Sequence, residues 1–148
     1  MAAKKLNLDN FLPYRLSIAS NALSSRIAAE YENRFGLKIP EWRLMAVLGE
    51  GQPKTQRELV EATRMDKVTV NRAAKALADR HLIARQAHEA DGRSHHLELT
   101  DTGRSLYDAI VPAALASEAQ LESNISADER ATLMRILAKL TAAAADYD

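Results

Sequence analysis

The chain has 148 residues, 20 Lys and Arg against 20 Asp and Glu, four His and no Cys. A chain of this length can bury about 70% of its unfolded surface, and the lack of cysteine excludes a disulfide framework, a thiolate zinc site, a cysteine nucleophile and a thiol redox sensor. Zero net charge gives no sign of a nucleic-acid partner, but the total conceals a segregation: residues 1–53 carry +2, residues 54–104 carry +2 and all four histidines, and residues 105–148 carry −4.

In chain order, the first predicted helix runs from about Phe11 to Phe35. Leu12, Leu16, Ala19, Leu23, Ile27, Tyr31 and Phe35 recur at three- and four-residue steps and form one apolar stripe. Pro13 suits a first turn and Gly36 a C-terminal stop. So long a stripe needs a long partner, in this chain or in a second subunit. Pro40 opens the next helix, which carries Trp42, Leu44, Met45, Val47 and Leu48 and stops at Gly49 and Gly51.

Thr55-Gln56-Arg57-Glu58 is a capping box that starts a short helix. Asp66 caps another a few residues later, with Met65 and Val70 placed as a hydrophobic staple. Two capped helices across a tight turn form a helix-turn-helix pattern. Leu82–His88 and Ser94–Leu99 then flank Asp91-Gly92, a strong turn dipeptide, and read as a β-hairpin. Thr100 caps a helix to about Leu121, with a bend expected at Pro112. Ser126-Ala127-Asp128-Glu129 is a second capping box and opens the last helix.

The fold class is therefore mainly α with a small β-hairpin. Helix, turn, helix and hairpin follow in the order of a winged helix-turn-helix, whose second helix enters the major groove. On residues 66–79, Val70, Ala73, Ala74 and Leu77 form the expected inward face. Lys67, Val68, Asn71, Arg72 and Lys75 lie opposite, with Thr69 at the margin. Arg72 and Asn71 match guanine and adenine edges, and Val68 suits a thymine methyl. Lys67, Lys75 and Thr69 suit phosphate oxygens, which fix register without reading sequence. Such a face also fits an ordinary solvated helix; the wing that follows favours double-stranded DNA.

These residues resemble the MarR-type transcriptional regulators. The resemblance is strongest from Thr55 to Leu106, through Met65-Asp66-Lys67-Val68-Thr69-Val70-Asn71-Arg72, Leu82-Ile83-Ala84-Arg85, Asp91-Gly92-Arg93 and Leu97-Glu98-Leu99-Thr100-Asp101-Thr102-Gly103. It implies a homodimer built from long N- and C-terminal dimerisation helices (1–36 and 101–148) around a DNA-binding lobe (37–100). It also implies a pseudo-palindromic operator, and repression relieved by a small, often aromatic, anion. Two departures stand out. His81 replaces the glycine usual before Leu-Ile, so that helix is expected to close without an easy left-handed residue. Gly92 replaces the first wing arginine, leaving Arg93, with Asp91 beside it, as the wing contact.

The family's ligands occupy a cleft between the dimerisation helices and the lobe. Tyr14, Arg15, Trp42, Arg43 and Met45 are the candidates here, and an apolar cleft with an arginine suits a benzoate- or cinnamate-like carboxylate. Arg34 and Lys38 add charge beside Arg43 that could hold the phosphates of an aromatic acyl-CoA thioester. Trp42 and Met45 are more often core residues, and Arg15 and Arg43 more often surface ones.

Other classes find less support. His81, His88, His95 and His96 suggest a metal-responsive regulator, but adjacent strand residues His95 and His96 point to opposite faces, and no metal is expected. No Gly-rich phosphate loop, nucleophile elbow or metal-hydrolase motif is present, so neither catalysis nor a cofactor is expected. A helical protein–protein adaptor on the same scaffold is the alternative from another class. No run reaches the ~18 apolar residues of a membrane span, and the N-terminus has no apolar leader, so a cytoplasmic protein is expected.

Overall fold

The computed structural model describes residues 3–88 and 91–146, leaving out the side chains of residues 87–94. The chain forms two compact units, residues 1–113 and 114–148. In the first, a 3-10 turn (Leu8–Asn10) precedes α1 (Leu12–Phe35), α2 (Ile39–Leu48), α3 (Gln56–Thr63) and α4 (Lys67–Asp79). The hairpin β1 (Ile83–His88) and β2 (Asp91–Leu99) follows, and α5 (Asp101–Leu121) leads into the second unit, which ends with α6 (Ala127–Ala145). No helix among the described residues is long and apolar enough to cross a membrane.

The core lies where α2, α3, α4 and the hairpin meet. Leu44, Met45, Leu59, Val70, Leu77 and Leu97 are almost wholly enclosed there. The predicted caps explain why these short helices hold their places. Thr55 Oγ1 accepts from Glu58 N at 3.1 Å, and Asp66 Oδ1 accepts from Thr69 N at 2.7 Å, so each helix start satisfies a backbone donor that would otherwise need water. Arg64, between α3 and α4, sits at φ 56°, which turns the chain sharply.

The end of α4 differs from expectation. His81 itself adopts the left-handed conformation, at φ 59°. Leu82 N reaches back to Leu77 O (3.0 Å) and His81 N to Ala78 O (2.9 Å). This is the double bond pattern that usually ends on glycine, with Leu77 and Leu82 both buried beside it. Thr100 Oγ1 donates to His81 O at 2.7 Å and helps to hold the strained residue.

Thr100 also explains the Leu-Thr-x-x-Gly run. Its Oγ1 accepts from Gly103 N at 3.0 Å and so caps α5, while its N–H donates to Leu82 O at 3.0 Å. The helix start is thereby pressed against the chain before the hairpin. A Cβ on Gly103 would fall 2.0 Å from Leu82 O, so only glycine fits.

The hairpin is antiparallel, with Ile83 opposite Leu99, Arg85 opposite Leu97 and Ala87 opposite His95. Lys54 clamps the far edge of β2 by exchanging two backbone bonds with Leu97 (3.0 and 2.7 Å). α5 runs through Pro112 as one helix. In the second unit, Ser126 and Glu129 close the capping box in both directions. Arg130 Nε donates to both carboxylate oxygens of Glu122 at 3.0 and 3.1 Å.

Candidate nucleic-acid interface

α4 carries the predicted division. Val70, Ala73, Ala74 and Leu77 are buried, while Lys67, Val68, Asn71, Arg72 and Lys75 are exposed. Val68 is 65% exposed. Thr69 is half-buried, and its hydroxyl donates to Asp66 Oδ2 at 2.9 Å. Thr69 thus shapes the first turn through its cap. The Thr69 backbone N–H, and then its hydroxyl, hold the Asp66 carboxyl below the usual range for aspartate. Lys75 reaches Asp79 only loosely, at 4.0 Å with both side chains solvated.

Grooves open on both sides of this helix. Toward α2, a groove of about 220 Å³ is lined by Lys38, Glu41, Thr69 and Arg72. Lys38, expected near an acyl-CoA phosphate, is therefore placed beside α4. Toward the hairpin, a groove of about 440 Å³ brings Asn71 and Lys75 of α4 together with Gln56 of α3 and Arg85 of β1. Gln56 and Arg85 continue into a neighbouring depression of about 280 Å³ that reaches His95. The sequence reading missed Gln56, Arg85 and His95. Their only signal was the alternation along the hairpin, which places Arg85 and His95 on the face of Ile83 and Leu97. The side chains of Arg93 and Asp91 lie outside the described residues.

The far end of α4 is tied to the end of α1. Arg80 Nη1 donates to Gly36 O at 2.9 Å and Nη2 to Phe35 O at 3.2 Å. A guanidinium at the carbonyl end of α1 is favourably placed against the helix dipole. Gly36, at φ 66°, turns those carbonyls toward it.

The proposed ligand residues are not all brought together. Trp42 is half-buried between Tyr31 (ring centroids 5.1 Å) and Tyr107 (6.2 Å, planes 23° apart). Arg104 lies 5.4 Å from the Tyr107 ring centre and donates to Gly49 O at 3.0 Å. A Cβ on Gly49 would fall 2.3 Å from the Tyr107 ring, so glycine lets α5 settle here. Tyr107 and Arg104 were also missed, because their pairing with α2 spans long sequence distances. Met45 is wholly enclosed in the core, and Arg15 and Arg43 are exposed. Tyr14 lines a separate open depression with residues 5–9. Arg34 pairs with Glu30 at 3.1 Å and lies over Phe35. Among the described residues, no three His, Cys, Asp or Glu side chains converge as a metal site would require.

Comparison with known proteins agrees with this geometry. Residues 35–94 match a family model described as the MarR family. The HTH-type transcriptional repressor NicR of Pseudomonas putida is 29% identical over 96 residues, covering 65% of this chain and 61% of the relative, less than two thirds of its length. A MarR/EmrR family transcriptional regulator from Acinetobacter sp. ADP1 matches at TM-score 0.87 and 26% identity, over 94% of this chain and 98% of that one. Bordetella bronchiseptica BpsR, solved in a study of how 6-hydroxynicotinic acid regulates its DNA binding, shares the fold at TM-score 0.86 and 21% identity, over 98% and 100% of the two chains.

Proposed function

The chain belongs to the MarR family of transcriptional regulators, and on that footing we propose that it is a cytoplasmic, homodimeric repressor released by a small aromatic acid. The observation that carries the DNA half is α4 itself, a capped helix with a buried apolar face and an opposite face of Lys67, Val68, Asn71, Arg72 and Lys75 left to solvent. In this reading Asn71 and Arg72 address base edges, Val68 a thymine methyl, and Lys67 and Lys75 phosphates. Thr69 positions the first turn through Asp66, and Arg93 reaches from the wing. No part of this requires catalysis.

Homodimerisation is supported by apolar side chains that the single chain leaves uncovered. Leu12, Ile18 and Leu23 of α1 are 43–53% exposed, and Leu133, Met134 and Ile136 of α6 are 42–53% exposed. Residues 1–36 and 101–148 would form the dimerisation region and residues 37–100 the DNA-binding lobe. Two copies then present two α4 helices to half-sites about one DNA turn apart.

For the effector, the tilted and stacked rings of Tyr31, Trp42 and Tyr107 offer a surface for an aromatic ring. Arg15, Arg43 and Arg104 are the guanidinium candidates for its carboxylate. The free acid is favoured over a CoA thioester, because Arg34 is engaged by Glu30 and Lys38 lines the groove beside α4. An acid that binds the DNA-competent arrangement less well than its alternative lowers DNA affinity by population shift.

Selecting genomic fragments with the purified protein should enrich one pseudo-palindromic sequence, whereas recovery of random fragments would contradict the repressor reading. With that sequence in hand, 6-hydroxynicotinate, benzoate and cinnamate are titrated while Trp42 fluorescence and DNA binding are followed together. An acid that quenches Trp42 and releases DNA supports the effector site. Quenching without release removes it.

A further inference from the structure

A helix lying in a major groove about 12 Å wide has a phosphodiester backbone on either flank. The two grooves beside α4 differ as seats for those backbones. On the α2 side Lys38 and Arg72 share the lining with Glu41, whose carboxylate repels phosphate and offsets part of their attraction. On the hairpin side, no Asp or Glu lines either depression among the described residues. Donors from four elements line them instead: Gln56 of α3, Lys75 of α4, Arg85 of β1 and His95 of β2, joined by the Asn71 amide.

The hairpin's alternation builds this asymmetry. Directly paired residues share a face, so Ile83 and Leu97 cover the core while Arg85 and His95 occupy the same face. The face changes from apolar to basic where the groove opens. Arg85 is exposed and has no ion-pair or hydrogen-bond partner among the described residues. The seat is also fixed in place, because Lys54 binds β2 at Leu97, opposite Arg85 and one residue before the Thr55 cap of α3.

We propose that Arg85, with Gln56 and His95, forms a phosphate seat between α4 and the hairpin that grips the DNA backbone and sets the depth and register of the recognition helix. This rests on the DNA-binding reading above and adds a positioning role to it. A guanidinium with free donors suits a phosphate bidentately, and the contact carries no base information.

The test is equilibrium anisotropy across a salt series, using the selected operator duplex and a mixed-sequence duplex of equal length. Arg85→Gln should weaken both about tenfold, as expected for losing a charge-assisted bond. It should also lower the slope of log affinity against log salt by about 2 for the dimer, one contact per subunit. Arg85→Lys should restore the slope, and thermal unfolding should not change in either variant. Wild-type affinity and slope in Arg85→Gln, alongside lost operator binding in Arg72→Ala, would overturn the seat and leave the regulator reading intact. Loss of operator preference alone in Arg85→Gln would overturn it too, by making Arg85 a base reader. A wild-type protein that binds neither duplex at low salt would overturn both.

Discussion

The helix-turn-helix region and the α6 unit are built on opposite terms. Between Leu37 and Leu97 nearly every apolar position expected to face inward is enclosed, and the short helices there are held by caps at Thr55 and Asp66. In residues 114–146 no described residue is buried. α6 has a complete capping box and the Arg130–Glu122 pair, yet Leu133, Met134 and Ile136 stand open to solvent. One region carries its own core. The other is well-formed helix whose apolar side chains await another surface, because local caps make a helix but do not bury it.

That contrast is sharpest under truncation. Leu77→Ala, inside the first region, should lower stability by about 2–5 kcal/mol through the cavity it leaves, read as a large fall in unfolding midpoint. A midpoint unchanged within error would mean that the α4 core is not what holds the lobe. Leu133→Glu with Ile136→Glu should leave helix content intact by circular dichroism yet halve the mass seen by light scattering. An unchanged mass would contradict the proposed dimer contact through α6.

Smaller changes probe the strained turn and the cap. His81→Gly should stabilise the protein by up to about 1 kcal/mol, since glycine takes the left-handed conformation without steric cost. A loss of stability would show that the imidazole contributes more than its backbone strain costs. Asp66 gives the weakest effect. Its carboxyl titrates below the ordinary value in the folded protein, so its contribution is present above that ordinary value. It fades as pH falls toward the lowered one. Asp66→Asn retains a cap without the titration, and should flatten the acid side of the stability profile. Equal slopes in both proteins would leave the cap's charge without a role.

What the sequence made legible was local. The N-caps and the inward face of α4 depend on residues a few positions apart and stand where the spacing placed them. The hairpin forms as expected, but β2 begins at Asp91, so Asp91-Gly92, expected as the turn, lies in the strand. His81 was misjudged because it was weighed by its steric cost alone, whereas Thr100, far along the chain, holds its carbonyl. The same distance hid Tyr107 behind Trp42, the Arg80 tie to α1 and the place of Arg85 beside α4. Each joins elements that only the folded chain brings together. Gly103 falls between these cases: its spacing from Thr100 was visible, but the close approach of Leu82 that demands it was not.

In the proposed function the exposed face of α4 reads DNA. The most direct test of that reading is the affinity of wild type and Arg72→Ala for the selected operator at a fixed, stated salt concentration. The wild type should bind with a dissociation constant of about 10⁻⁸ M or below, and Arg72→Ala should lose about tenfold or more while folding normally. Equal affinities, or no operator binding by the wild type at low salt, would contradict it.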